Sequence, residues 1–137
     1  MSTPQRYTNN AIYTRVRTAV LTEVPTAYCT QTYAPTPTKW PTVFAREIGH
    51  FTPSGTPTLS NAQDISERTW EVQIFSNLEK GAKEQAYTLL DAVKTAFRSM
   101  YFVETFESPL DSTGNNKYYT LIARFRRIIG SGEVMPE

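Results

Sequence analysis

The sequence predicts an α+β domain in which a mainly antiparallel sheet carries two helices on one face, in the order α-β-β-β-α-β-β. Three observations carry that prediction. Two stretches far apart in the chain repeat apolar residues at steps of three and four, the period of a helix with one buried stripe. The run Glu67–Phe75 alternates apolar and polar residues, as a strand with one buried side does, and two β-prone runs near the end of the chain flank a turn-rich link. Two such stripes are most simply buried together on one side of a shared sheet.

The first helix is expected between Asn9 and Val24, with Ile12, Val16, Ala19, Val20 and Val24 on its apolar face. Asn9 or Asn10 can cap it, because a short side-chain acceptor satisfies a free N–H of the first turn, and Pro25 ends it for want of an N–H. Ala27–Tyr33 is β-branched and aromatic and reads as a strand. Ala34–Pro57 then holds five of the nine prolines, so only its middle, Thr42–Phe51, can sit in a sheet. Thr52–Gln63 is about twelve residues of turn formers, long for a connection inside one domain and therefore a candidate functional loop.

The third strand, Glu67–Phe75, puts Trp70, Val72 and Ile74 on one face and Thr69, Glu71 and Gln73 on the other. Ser76-Asn77-Leu78-Glu79 has the form of a capping box, which places the start of the second helix there. Ala82, Ala86, Leu89, Leu90, Val93, Phe97 and Met100 give that helix a continuous stripe, and Lys94 and Arg98 suit its C-terminal pole. Tyr101–Phe106 and Tyr118–Ile129 are expected to form an antiparallel hairpin across the turn residues between Ser108 and Asn116. In the second run Tyr119, Leu121, Ala123 and Phe125 share one face, and Thr120, Ile122, Arg124 and Arg126 the other. The 137 residues fit a single domain, with short flexible ends at 1–8 and 131–137.

Composition narrows the chemistry. Fourteen basic and thirteen acidic side chains leave a net charge of +1, so nucleic-acid or membrane binding could come only from a local patch. One cysteine, Cys29, forms no intrachain disulfide, and with the lone His50 it falls short of a zinc site's ligand set. No apolar run approaches the ~18–20 residues of a membrane-spanning helix, and the start of the chain lacks a secretory apolar core, so a cytosolic setting is expected. His50 beside Phe51 has no nucleophile motif near it, and Cys29 reads as a small buried hydrophobe. Carboxylates gather loosely at Asp64, Glu67 and Glu71 and at Glu104, Glu107 and Asp111, without a spacing that favours catalysis. There is no phosphate-binding glycine motif. No cofactor, metal or catalytic role is expected.

Arg124-Phe125-Arg126-Arg127 is the most pointed charge feature. Pairing with Glu104 or Glu107 of the preceding strand would neutralise it, whereas free guanidiniums could grip a partner's carboxylates or a nucleic-acid backbone. Aromatic side chains such as Tyr28, Tyr33, Trp40 and Tyr118 suit either a monomer's core or a contact between copies.

The order of these pieces resembles the tail terminator, or tail completion, family of long-tailed bacteriophages and phage-tail-like particles. The resemblance spans most of the chain: the helix Ala11–Glu23, the Pro-marked opening Trp40-Pro41-Thr42-Val43-Phe44, the strand Trp70–Ser76 running into a helix, and the closing hairpin with its basic strand Tyr118–Arg127. It implies an α+β subunit of a homo-oligomeric ring, a hexamer, that caps the tail tube, stops its polymerisation and docks the head. Its partners would be other copies, the tail tube protein and a head-closure or connector protein, with DNA passing only through the lumen. The implied location is the virion neck, reached by assembly in the host cytoplasm. Arg124, Arg126, Arg127, Trp40 and the loop residues Thr52, Pro53, Ser54, Gly55, Thr56 and Pro57 are the expected interface. Rival readings are a head-tail connector and, outside this class, a small nucleic-acid-binding domain using the three arginines.

Overall fold

The computed structural model describes residues 6–32, 39–51, 65–78, 80–110, 119–130 and 133–136. Its elements are α1 (Asn9–Glu23), β1 (Tyr28–Thr30), β2 (Thr42–Phe51), β3 (Ile65–Ser76), α2 (Ala82–Ser99), β4 (Val103–Leu110) and β5 (Tyr119–Gly130). The strands form one sheet in the order β1-β2-β3-β5-β4, with β1 parallel to β2 and every other pairing antiparallel. The expected α+β class and element order are both present.

The helices share one face of this sheet because their stripes and the inward side chains of the strands bury one another. Ile12, Val16 and Val20 of α1 and Leu89, Leu90, Val93 and Phe97 of α2 meet Val43, Trp70, Val72, Ile74, Leu121, Ala123 and Phe125 in one cluster. Phe97 is its centre, stacked on Phe125 with ring centroids 4.3 Å apart and lying 6.1 Å from Trp70. Both chain ends, expected as flexible segments, supply core residues: Tyr7 and Met135 are buried, and Arg6 forms a bridge with Val134. An aromatic and a thioether gain more from burial than the ends lose in freedom.

Both helix starts differ from expectation. Thr8, not Asn9 or Asn10, caps α1, its hydroxyl accepting from the N–H of Ala11. Ser76 caps nothing: it is the last residue of β3, fully buried, and its hydroxyl donates to the Gln85 side chain. Strand pairing with Tyr119 holds Ser76 in the ladder, so α2 begins after Gly81, which takes the left-handed conformation at φ 84°.

The end of α2 carries a Schellman motif without its usual glycine. Phe102 N–H donates to Phe97 O and Tyr101 N–H to Arg98 O, with Tyr101 in the left-handed region at φ 65°. The accompanying apolar contact is the edge-to-face pair Phe97–Phe102. β4 therefore starts at Val103 rather than Tyr101 and runs on through Pro109, which an edge strand tolerates.

Candidate assembly surface

Alternation sends Phe44, Arg46, Glu67, Glu71, Gln73, Ile122, Arg124, Arg126 and Ile128 to the sheet face that carries neither helix. Glu71 is the hub of that face. It is buried, lies 3.0 Å from Arg124 and 3.8 Å from Arg46, and accepts a hydrogen bond from Gln73 at 3.2 Å. Arg126 pairs with Glu67 at 2.6 Å. The guanidiniums of Arg46 and Arg124 also lie 5.4 Å from the Phe44 and Phe106 rings.

This corrects the expected pairing of the arginines with Glu104 or Glu107. Register explains the difference: Arg124 lies opposite Glu71 in β3, whereas Glu104 and Glu107 lie opposite Phe125 and Ala123 and so point to the helix face. There Lys94 of α2 reaches both carboxylates. The hydrogen bond to Glu107 raises the Lys94 pKa.

The three arginines do not act together. Arg124 and Arg126 are about half exposed, at 45% and 48%, on the helix-free face, while Arg127 is 16% exposed on the other. Arg127 binds the Met100 carbonyl, the Tyr7 hydroxyl and Glu133, with its guanidinium 4.9 Å from the Tyr7 ring. It clasps the two chain ends to the C-terminus of α2. Burial raises the Tyr7 pKa, and Arg127 opposes that shift.

Trp40 is half-buried at the cis Trp40–Pro41 peptide that leads into β2. The loop Thr52–Gln63, with Thr52, Pro53, Ser54, Gly55, Thr56 and Pro57, lies outside the described residues. His50 is half exposed and 3.7 Å from Glu47. Burial pushes the Cys29 thiol up to about 11, far from the range of a reactive cysteine. Among the described residues no group of three His, Cys, Asp or Glu side chains could hold a metal ion, and no helix is long and apolar enough to cross a membrane.

Sequence reasoning missed the exposed apolar side chains that flank the charge ladder. Val103 is 66% exposed, Ile128 49%, Phe106 44% and Ile48 43%. That Val103, Phe106 and Ile128 share one face became visible only once register placed β4 and β5 side by side, while Ile48 sits at the β2 bulge without a paired partner in β3. No protein-family model matches the chain, and no curated protein shows significant similarity to it.

Proposed function

We propose that this protein is a structural, non-enzymatic subunit that assembles with copies of itself into a six-membered ring, acting as the tail terminator of a long-tailed phage or phage-tail-like particle. The observation that carries the reading is the helix-free sheet face, where exposed Val103, Phe106 and Ile128 flank paired charges. Apolar side chains among arginines already paired with carboxylates suit a protein contact better than a polyanion, which binds cations without such partners. The resemblance in element order supplies the narrower assignment, with the tail tube on one side of the ring and a head-closure protein on the other.

Native mass spectrometry of the purified protein tests the assembly, and capping of tail tubes in an extract tests the assignment. The expected result is a closed ring free of nucleic acid that halts tube growth. A head-closure protein would form the ring but leave tube length uncontrolled. A monomer that binds short DNA in a salt-dependent way would overturn the ring and favour the nucleic-acid reading. Arg126→Glu separates the ring from the nucleic-acid reading: in the ring it weakens assembly or capping, in the rival it weakens DNA binding.

A further inference from the structure

The sheet ends in β4 on one side and β1 on the other, and among the described residues these two sides differ in charge. At one edge is β4, eight residues long, with Val103 and Phe106 exposed. Edge strands of this length invite pairing unless they are covered or charged. Here Glu104 and Glu107, with Asp91 nearby on α2, set three carboxylates against the ammonium of Lys94. The edge is acidic.

At the other edge is β1, with Tyr28 exposed and the Lys39 ammonium 4.4 Å from its ring centroid. Arg17 of α1 is exposed beside it, close enough to favour the charged form of the Cys29 thiol. Residues 31–38, which join β1 to Lys39 in the sequence, include no charged residue. This edge is basic.

We infer that copies of the chain join head to tail through these edges, the acidic β4 edge of one copy meeting the basic β1 side of the next. The inference rests on the ring reading above and names the contact that such a ring uses. Strand direction supports it. β1 and β2 run together, β3 runs against β2, β5 against β3 and β4 against β5, so β4 and β1 point in opposite senses. Copies related by rotation about an axis along the strands would therefore place β4 antiparallel to the next β1, the pairing with the better hydrogen-bond geometry.

Charge also selects this contact over a two-fold one. Pairing β4 with the β4 of a second copy would crowd six carboxylates around two lysines, and pairing β1 with β1 would oppose Arg17 and Lys39 to themselves. Only the mixed contact brings opposite charges together, and a mixed contact between different surfaces is the kind that closes into a ring rather than a dimer.

A charge swap tests the inference. Variant one carries Glu104→Lys and Glu107→Lys; variant two carries Arg17→Glu and Lys39→Glu. Each alone opposes like charges at every contact and is expected to assemble roughly tenfold or more weakly than the parent by mass photometry, while circular dichroism reports a folded chain. Mixed in equal amounts, the two variants restore opposite charge at every contact and are expected to recover the ring with alternating subunits. Hydrogen exchange on the unaltered protein gives a second measurement, with β4 and β1 amides gaining protection on assembly. Rings formed as well by each variant alone, or a parent ring with no added protection in β4, would overturn the edge contact and leave the ring reading standing. A parent that stays monomeric at every concentration would overturn both.

Discussion

Arg68 and Glu47 form an ion pair in the interior, Nε to Oε2 at 2.5 Å, with side chains only 6% and 12% exposed. The same carboxylate oxygen accepts from the Trp70 indole N–H at 3.1 Å, and Arg68 Nη1 donates to the Tyr7 carbonyl at 2.6 Å. Two adjacent strands and the N-terminal segment thus meet at one charged node. A buried charge is tolerable only with its partner in place, so removing one member should cost more than removing both. Glu47→Ala is expected to destabilise by about 3–5 kcal/mol, and Glu47→Leu with Arg68→Met to recover most of that loss. Urea denaturation of the three proteins checks it; a cost for Glu47→Ala below about 1 kcal/mol would show that water already solvates the pair.

Phe97 touches three aromatic rings, Phe125, Trp70 and Phe102, from the last turn of α2. Truncating a fully buried aromatic loses transfer free energy and leaves a cavity its neighbours cannot close. Phe97→Ala should therefore lower stability by about 3–5 kcal/mol, and Phe97→Leu by clearly less, in equilibrium unfolding. Equal costs for the two variants would mean the site collapses around either residue.

Tyr101 occupies the left-handed position that closes α2, where Asn is better tolerated than a β-branched side chain. Its own side chain is mostly exposed and meets the Arg127 guanidinium at 5.3 Å. Tyr101→Asn is expected to exceed Tyr101→Val in stability by about 1 kcal/mol. Thermal melts of the pair decide the sign, since both variants lose the ring contact and differ at the backbone.

Cys29 should be slow to alkylate. With its thiol pushed up to about 11, the reactive thiolate is scarce near pH 8, and iodoacetamide should react on the order of a hundredfold more slowly than with the same thiol in urea. The linked effect on stability has a definite sign. Between the ordinary thiol pKa and about 11 the folded chain holds a proton that the unfolded chain releases, so stability falls as pH rises through that window. Cys29→Ala should flatten that part of the profile. A native rate equal to the unfolded one would place the thiol in solvent.

Local pattern was enough for the architecture. The alternation of Trp70, Val72 and Ile74, and the stripe Ala86–Leu89–Leu90–Val93–Phe97, are properties of sequential residues, and burial of those faces follows from the period alone. Helix ends were less legible because capping depends on a competition between neighbours. Ser76 has the right chemistry to cap α2, yet its place opposite Tyr119 in the ladder took it, and Tyr101 closes α2 where no glycine announces an end. The charged surface was the least legible part. Whether Arg124 meets Glu71 or Glu107 depends on register between strands separated by dozens of residues, and a shift of one position moves a side chain to the opposite face. Sequence determined which residues are charged and which face each shares with its near neighbours in the chain. Only the tertiary structure decided that Arg124 and Arg126 pair with carboxylates of β3, that Arg127 ties down the chain ends, and that Lys94 meets Glu104 and Glu107 beside β4 while Lys39 lies over Tyr28 beside β1, because Coulomb pairing is set by distance in space and not along the chain.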